Sequence, residues 1–363
     1  MDIVNLKYNM LKSLSIKNFT VFKSEKIKFA SGLNIFIGEN GSGKTHLLKL
    51  PYSISSVSFE MSKRHSGLNP TKALLQPAVA AKLFNVFRPD TLGRLTKRKQ
   101  GRERCEVFLK YENSRNDISF SFTTNTKTEV DIGHLPSEWN KKPPVYLPTR
   151  ELLTIYPGFV SLYENYHLEF EETWRDTCLL LGGALSKGPR AKEVGDLLEP
   201  IEKAMGGTVV LDSNGRFYLS IPGSGNMEIP LVAEGIRKLA MLARLVANNS
   251  LVNKSSLFWD EPETNLNPKL IKIVAQVIID LARQGVQIFI GTHSLFLMRE
   301  IEILLEVASY KDLSVKVFGI GYDGDHSVIE SGNTFDDIRN IASLDEELSQ
   351  SDRYMGISGS NEN

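Results

Sequence analysis

The amino-acid sequence predicts an α/β protein with a mixed core sheet, an antiparallel β subdomain and a helical insertion. The apolar run LNIFI at residues 33–37 is typical of a strand buried on both faces, and a glycine-rich turn follows it. Between residues 105 and 132, the segments EVFLKY, DISFSF and TEVDI alternate in polarity, as antiparallel strands do. After Gly235, helices alternate with strands, which predicts a parallel sheet covered on both faces.

The first half of the chain begins with strands and then becomes helical. Residues 14–16 and 27–29 alternate apolar and polar side chains, which predicts two half-buried strands. A helix follows the glycine-rich turn, and AVAAKLFNVF at residues 78–87 predicts another helix. Residues 151–205 are predicted to be mainly helical, with breaks at Pro157-Gly158 and Gly182-Gly183.

The second half contains the strongest strand and helix signals. The segments LFW and VQIFI predict two buried strands. Between them, Asn267 and Pro268 begin a helix that Gly285 ends, because Asn caps a helix, Pro suits its first turn and Gly follows its end. Two hairpins are also predicted, one around the turn DSNG and one in VKVFGIGYDGDHSVIE.

Composition excludes several classes of protein. Lys+Arg and Asp+Glu both number 43, so the chain has no net charge and is not a wholly basic nucleic-acid coat protein. No apolar run reaches the roughly 18 residues of a transmembrane helix, and the N-terminus lacks an apolar signal segment. The two cysteines, Cys105 and Cys178, form no metal-binding or disulfide-rich pattern. We therefore expect a cytoplasmic protein that does not contact a membrane.

The most specific motif is the glycine-rich loop at residues 38–45, which fits G-x-x-x-x-G-K-[ST] between a strand and a helix. Its glycines allow backbone N–H groups to face a phosphate, and the N-terminus of the following helix adds positive charge. Lys44 is expected to neutralise the β- and γ-phosphates, and Thr45 to ligate Mg²⁺. The predicted nucleoside triphosphate site comprises Gly38, Glu39, Asn40, Gly41, Ser42, Gly43, Lys44 and Thr45.

Two adjacent acids end the hydrophobic strand in LFWDEP. Asp260 is expected to hold Mg²⁺, and Glu261 to position or deprotonate the water that attacks the γ-phosphate. A later strand, VQIFIGTHS, ends in His293. Because ligands of open α/β sheets collect at the carboxyl ends of the strands, His293 is expected to contact the γ-phosphate. Glu261, His293 and Lys44 are thus the predicted catalytic residues of an ATPase.

GENGSGKT, LFWDEPETNLNP and GTHS resemble the phosphate loop, the acidic motif and the switch histidine of ABC-type ATPases. The opening LSIKNFTVF…GLNIFIGENGSGKT is similar to the SMC/RecF/OLD branch of that class. Similar stand-alone ATPases are components of bacterial anti-phage systems, such as AriA- or PtuA-like proteins. The resemblance implies a P-loop NTPase with an ABC/SMC-like head that binds ATP and Mg²⁺. It also implies that two protomers enclose two nucleotides, with a signature segment of each over the γ-phosphate of the other.

The segment LVAEGIRK is the best match to that signature segment. The resemblance implies that Gly235 presents a backbone N–H to the partner's nucleotide. Ala233 stands where the family has serine, so a hydroxyl contact is lost. Arg237 or Lys238 would compensate, or else both belong to a solvated helix face. Asn267 stands where many family members have Asp or His in a loop that faces the dimer partner.

Two further contacts with the nucleotide remain open. The glutamine that bridges to Mg²⁺ in this class is missing from VYLPTR, where Thr149 and Arg150 are the candidates to face the nucleotide. Lys17 and Asn18 lie where this branch contacts the base or ribose, and a plain surface turn is an equal alternative.

Possible partners follow from two segments. The segment RLTKRKQGRER, from Arg94 to Arg104, has six basic residues and one acid, so it either binds the phosphates of a nucleic acid or is a solvated loop. Asp323 and Asp325 are similar to the acidic pair of a Toprim nuclease, but the 38 residues after Asp325 are too few for that domain. A separate effector protein, a nuclease or a toxin, is therefore the expected partner.

The sequence thus predicts an ATPase that dimerises around Mg-ATP and gates a partner effector, with anti-phage defence implied by the resemblance. An ATP-dependent assembly scaffold with slow turnover and a RecF-like DNA-binding repair ATPase are the alternatives. A P-loop kinase is disfavoured, because Glu261 and His293 form the pattern of a hydrolase.

We predict one ATPase domain over residues 1–363. It divides into a phosphate-loop lobe with the antiparallel β subdomain (1–150), a helical insertion (151–205), a lobe with the signature segment and acidic motif (206–345), and a flexible tail (346–363).

Overall fold

A computed structural model describes residues 10–97, 101–166, 168–185, 192–252, 254–339 and 341–360. Within these ranges the strands are β1 Leu11–Phe19, β2 Phe22–Lys28, β3 Leu33–Gly38, β4 Arg104–Tyr111, β5 Ile118–Thr123, β6 Asp131–His134, β7 Val145–Leu147, β8 Thr208–Leu211, β9 Phe217–Ile221, β10 Gly225–Glu228, β11 Ser256–Asp260, β12 Gln287–Thr292, β13 Val315–Asp323 and β14 His326–Gly332. The helices are α1 Lys44–Arg64, α2 Lys72–Phe87, α3 Tyr156–Tyr166, α4 Glu172–Leu181, α5 Lys192–Met205, α6 Glu234–Ala247, α7 Pro268–Arg283, α8 Leu295–Leu305 and α9 Ala342–Ser360.

Eleven strands form one mixed sheet in the order β6-β5-β4-β1-β2-β14-β13-β3-β12-β11-β7. Strands β13, β3, β12, β11 and β7 pair in parallel. Strands β2, β1, β4, β5 and β6 pair antiparallel, and the antiparallel hairpin β13–β14 connects the two halves. The predicted α/β fold with a mixed sheet is therefore confirmed, and the antiparallel strands extend the core sheet itself.

The parallel strands are buried on both faces, as their apolar sequences predict. Every residue of β11 and β12 is buried. One face carries the aromatic rings of Phe36, Phe258 and Phe289, which pack towards α1 and the antiparallel strands. The other face carries Trp259 and Ile290 among others, which pack towards the helices of the second half. Helices on both faces leave the carboxyl edge of the parallel strands as the place for a ligand.

The helical insertion consists of α3, α4 and α5, followed by a separate small sheet of β8, β9 and β10. Helix α3 is interrupted at Pro157 and Gly158, which have non-helical backbone angles, as the sequence predicted. Both predicted hairpins are present, β8–β9 and β13–β14. The lobe boundaries at residues 150 and 205 remain predictions.

A buried group of charges, the Lys82 cluster, fixes α4 of the insertion to the rest of the fold. The Lys82 ammonium lies 2.8 Å from Asp176 and from Glu172 of α4, and 3.1 Å from Glu60 of α1. The Tyr52 hydroxyl of α1 donates to Asp176 over 2.6 Å. Lys82 is 4% exposed, and these charged hydrogen bonds offset the cost of burying it.

The end of the chain contains a helix. Residues expected to form a flexible tail from 346 onward lie in α9 up to Ser360, and residues 361–363 are outside the described ranges. The segment LDEELSQSDRYM contains Leu, Glu, Gln and Arg, which favour a helix, and Arg353 binds Glu346 of the same helix. None of the described helices is long and apolar enough to cross a bilayer.

Candidate active site

The glycine-rich loop connects β3 to α1 at the carboxyl edge of the sheet. Gly41 and Gly43 have φ angles of 85° and 105°, which side-chain-bearing residues rarely adopt. A Cβ on Gly43 would lie 2.7 Å from the Phe22 ring and 2.8 Å from Val21, so the β1–β2 hairpin supports the loop closely. The loop therefore has the backbone turn that aims consecutive N–H groups at an anion.

The ammonium of Lys44 lies inside the loop. Its Nζ donates to the carbonyl oxygens of Gly38 and Glu39 over 2.7 and 3.0 Å. Burial lowers the pKa of Lys44, and the nearby carboxylates of Glu261 and Asp260 oppose that shift. A cation so placed is ready to exchange these carbonyl contacts for phosphate oxygens.

Thr45 and Asp260 form a pair of oxygen ligands. The Thr45 hydroxyl donates to Asp260 Oδ2 over 2.8 Å, although the two residues come from α1 and β11. Asp260 is buried, which raises its pKa, and its Oδ1 has no hydrogen-bond partner. Carboxylate and hydroxyl oxygens suit Mg²⁺, so this unpartnered oxygen beside a hydroxyl fits a metal site. The structure therefore brings together both predicted metal ligands.

Glu261 and His293 are also brought together. Asp260 pairs with Gly291 in the parallel register, so the residues that follow β11 and β12 are neighbours. Glu261 Oε1 lies 3.2 Å from His293 Nδ1, and its Oε2 accepts from the Thr264 hydroxyl over 3.2 Å. Glu261 has a φ angle of 45°, the left-handed conformation that a glutamate rarely adopts. Such backbone strain is concentrated at functional sites.

Glu263 is a site residue that the sequence analysis missed. It is 7% exposed and accepts from the Thr292 hydroxyl over 2.6 Å, which ties residues 260–265, here called the acidic turn, to the end of β12. Its second oxygen, Oε2, has no hydrogen-bond partner. The available signal in the sequence was the third acid of DEPET, which lies two residues after Glu261.

Tyr146 is the second missed residue. Its hydroxyl lies 3.4 Å from Asp260 Oδ2, and its ring is buried. Thr149 and Arg150 of the same segment were the candidates from the sequence, but Thr149 is half-buried and Arg150 is exposed. Tyr146 belongs to β7, which pairs in parallel with β11, and this register brings it under Asp260.

The signature segment forms the start of α6. Ala233 precedes the first turn without a side-chain cap, and a Cβ on Gly235 would lie 2.8 Å from the Asn265 carbonyl oxygen. Arg237 lies 3.1 Å from Glu151, and the Lys238 ammonium donates to the carbonyl oxygens of the acidic turn. Both cations are therefore engaged within their own chain, so the solvated helix face is wrong for them.

Lys17 and Asn18 have roles in the antiparallel sheet. Lys17 lies 3.9 Å from Glu106, and the Asn18 side chain donates to Glu103 and to the Arg104 carbonyl oxygen. The hairpin contacts the phosphate-loop region through other residues, since Thr20 binds His46 of α1 over 3.0 Å. A nucleotide contact by Lys17 or Asn18 remains a prediction.

The basic segment from residue 94 to 104 is only partly available for a polyanion. Residues 98–100 lie outside the described ranges. Of the remaining cations, Arg94 pairs with Asp90, Arg104 pairs with Asp131, and Lys97 donates to the Asp325 carbonyl oxygen over 2.6 Å.

Asn267 caps α7 by accepting a hydrogen bond from the Leu270 N–H, as the sequence predicted.

Comparisons with known proteins agree with this geometry. A family described as "AAA domain, putative AbiEii toxin, Type IV TA system" matches residues 33–299. DNA replication and repair protein RecF of Streptococcus gordonii is 47% identical over 45 residues, 12% of each chain. RecF of Geobacillus sp. is 39% identical over 59 residues, 16% of this chain and 14% of the relative. The chain thus matches only a small part of the length of these relatives.

Solved structures show the same fold at low identity. An SmcHead bound to the C-winged helix domain of ScpA covers 90% of this chain and 98% of its own, with 13% identity and a TM-score of 0.54. An Smc head from Pyrococcus furiosus with an extended coiled coil, bound to the C-terminal domain of ScpA, covers 95% and 99%, with 12% identity and a TM-score of 0.51. The α/β fold of this chain is therefore that of an SMC head.

Proposed function

This chain belongs to the AAA-domain family that matches residues 33–299, and from that premise we propose that it binds Mg-ATP and hydrolyses it. The observation that carries the proposal is the meeting of five side chains at one sheet edge: Lys44, the Thr45–Asp260 pair and Glu261 in contact with His293. These are the groups that phosphoryl transfer to water requires: a phosphate-binding cation, metal ligands and a base.

Each of these residues has a separate proposed role in the reaction. The loop amides and Lys44 bind the phosphates, and Thr45 with Asp260 holds Mg²⁺, which neutralises charge on the phosphates when bound. Glu261 accepts a proton from the attacking water, because its carboxylate ends at the same edge as the metal ligands. His293 orients Glu261 through the 3.2 Å contact between its Nδ1 and Glu261 Oε1. Lys17 and Asn18 remain the candidates for a contact with the base or ribose.

We further propose that two copies of the chain enclose the nucleotides. The start of α6 supports this, because Ala233 and Glu234 are exposed and Leu231 is 73% exposed beside Gly235. An exposed helix N-terminus is suited to bind a phosphate with its free N–H groups. Gly235 would thus cover the γ-phosphate bound to the partner subunit, although Ala233 supplies no hydroxyl there.

A separate effector protein is the proposed target of this cycle, with bacterial anti-phage defence as the setting, as in AriA- or PtuA-like proteins. The family description names a putative toxin and a Type IV TA system, which supports a role for the chain in such a system. The helical insertion supports docking, since Leu162, Tyr166 and Phe170 are exposed there. Lys49 of α1 binds Glu171 beside α4, so the insertion is connected to the helix that follows the phosphate loop.

The test is phosphate release by the wild type, by Glu261→Gln and by Glu302→Gln, which makes the same change on an exposed turn of α8. We expect Glu261→Gln to lose about 100- to 1,000-fold in rate while it still binds ATP. Glu302→Gln should match the wild type. Release by Glu261→Gln at the wild-type rate contradicts hydrolysis at this site, and a wild type that binds ATP without release supports the slow-turnover scaffold.

A RecF-like DNA-binding ATPase is the second candidate, because the curated relatives carry the name of a DNA replication and repair protein. It predicts DNA binding that weakens steeply with salt and with neutralisation of Lys97, Arg98 and Lys99. The buried hydrogen bond of Lys97 to the Asp325 carbonyl oxygen makes that residue a poor phosphate ligand. DNA binding that does not respond to these substitutions would remove this candidate.

A further inference from the structure

Lys238 connects the start of α6 to the acidic turn. It lies one helical turn after Glu234 and is 2% exposed. Its Nζ donates to the Glu261 carbonyl oxygen over 2.8 Å and to the Thr264 carbonyl oxygen over 3.2 Å. One side chain therefore contacts both ends of the turn that carries the proposed base.

The acidic turn needs such a restraint. Glu261 has a φ angle of 45°, a backbone conformation that is strained for a residue with a side chain. On the sheet side, the Glu261 N–H donates to the Gly291 carbonyl oxygen over 2.9 Å. On the other side, the turn meets α6, where the Asn265 side chain donates to Glu234 over 2.7 Å. Lys238 supplies the two hydrogen bonds that fix the backbone of the turn itself on that side.

We propose that Lys238 is a positioning residue that holds Glu261 in its left-handed conformation and links it to the first turn of α6. The inference rests on the proposed hydrolysis at Glu261. A displacement of the α6 N-terminus, where Gly235 would face a partner's nucleotide, then moves the proposed base through Lys238. Binding of a second subunit at the start of α6 would therefore change the position of Glu261 in the chain's own site.

Arg244 provides a matched control on the same helix. It is also a buried cation that donates to two backbone carbonyl oxygens, those of Leu181 and Gly183, over 3.0 and 2.8 Å. These acceptors belong to the helical insertion and lie away from the acidic turn. Replacement of either cation by Met removes a buried charge and two hydrogen bonds, so a loss of stability alone affects both variants.

The experiment compares Lys238→Met with Arg244→Met and uses Lys238→Gln as a milder variant that keeps one donor group. Three quantities are measured: kcat for phosphate release, the dissociation constant of ATP, and hydrogen exchange of the peptide that covers residues 261–266. For Lys238→Met we expect kcat to fall about 100-fold, as for a misplaced catalytic group. ATP binding should change less than about threefold, because the phosphate loop is untouched.

The outcomes separate this inference from the proposed function. Faster exchange at residues 261–266 with a lower kcat in Lys238→Met, an intermediate Lys238→Gln and a normal Arg244→Met support the positioning role. An unchanged kcat in Lys238→Met overturns it, as does an equal loss of kcat in Arg244→Met. If Lys238→Met does not fold, Lys238→Gln decides in the same way. A Glu261→Gln variant that hydrolyses ATP at the wild-type rate shows instead that the proposed function is wrong.

Discussion

The acidic turn after β11 and the Lys82 cluster are both buried and charged, yet their hydrogen bonding differs. In the Lys82 cluster, one ammonium meets the carboxylates of Glu60, Glu172 and Asp176 at 3.1 Å or less. At the acidic turn, Asp260 Oδ1 and Glu263 Oε2 have no hydrogen-bond partner. The first region satisfies its charges within the chain, whereas the second leaves acceptors for a ligand.

The pKa values differ in the same way. Around Lys82, the carboxylates outweigh burial and raise the pKa of the ammonium well above its ordinary value. At the acidic turn, Lys238 donates to neutral carbonyl oxygens, and burial lowers its pKa to about 8. A buried charge with full partners stabilises a fold, while buried groups with incomplete partners reduce stability in return for function. The comparison therefore assigns stability to one region and chemistry to the other.

Asp260→Asn should give the largest effect and the clearest contrast. Loss of a metal-binding carboxylate should lower phosphate release about 1,000-fold. The same change removes a buried charge whose pKa burial has already raised, so the free energy of unfolding should stay equal or increase. Phosphate release and thermal unfolding of the purified variant measure the two effects. A large loss of stability would show that Asp260 is mainly structural.

Lys82→Met should have the opposite profile. Removal of the ammonium leaves three carboxylates facing one another, and breaking a buried ion pair typically costs about 3–5 kcal/mol. Phosphate release per folded molecule should change less than about threefold, because no atom of the cluster touches the acidic turn. Denaturant unfolding measures the loss of stability, and the rate of phosphate release at low temperature measures the activity of the folded variant. Wild-type stability in Lys82→Met would remove the contrast between the two regions.

The pH dependence of stability sharpens the comparison. The pKa of Lys238 is lowered to about 8 in the folded state, so between that value and the ordinary pKa of 10.5 the unfolded chain binds more protons. The wild type should therefore gain stability relative to Lys238→Met as pH rises through this window, by about 3 kcal/mol at most. Lys82 has a raised pKa, so its contribution should be constant there and lost only at higher pH. Denaturant titrations of the wild type and the two lysine variants at pH 7.5 and pH 10 measure these free energies of unfolding. If the difference between the wild type and Lys238→Met is the same at both pH values, the lowered pKa of Lys238 is contradicted.

Tyr146→Phe should give the smallest effect. The lost contact is the 3.4 Å approach of its hydroxyl to Asp260, and a weak hydrogen bond to a charged group contributes about 1 kcal/mol or less. We expect phosphate release to decrease less than about fivefold, with a shift in the Mg²⁺ concentration that gives half the maximal rate. A titration of the rate with Mg²⁺ measures this. A loss as large as that of Asp260→Asn would make Tyr146 part of the metal site.

The sequence predicted features that lie in local motifs, and it did not predict contacts between residues that are far apart in the chain. The phosphate loop and the predicted metal ligands Thr45 and Asp260 were found because each lies in a local motif at the end of a buried strand. The placement of Glu261 and His293 at one edge of the sheet followed from the rule that ligands collect at the carboxyl ends of parallel strands, and the structure adds the contact between them. Fold class followed from the same alternation of strands and helices.

No local signature marks Tyr146, Lys238 or the Lys82 cluster. Tyr146 contacts Asp260 across 114 positions, and only the pairing of β7 with β11 brings the two together. Lys238 was predicted on a solvated face or across a subunit boundary, because helical periodicity alone does not show that its side chain reaches Glu261. The Lys82 cluster was missed for the same reason, since Lys82 and Asp176 are 94 positions apart. Tertiary packing determines such contacts.

The most direct test of the central claim is the light-scattering mass of Glu261→Gln, with and without Mg-ATP, beside that of Asp260→Asn. We expect ATP to convert Glu261→Gln into a stable dimer, because the nucleotide is bound and not consumed. Asp260→Asn should remain a monomer under the same conditions, because its metal-binding carboxylate is lost. A mass of Glu261→Gln that ATP does not change, together with phosphate release at the wild-type rate, would contradict the claim that this edge of the sheet is a shared hydrolytic site.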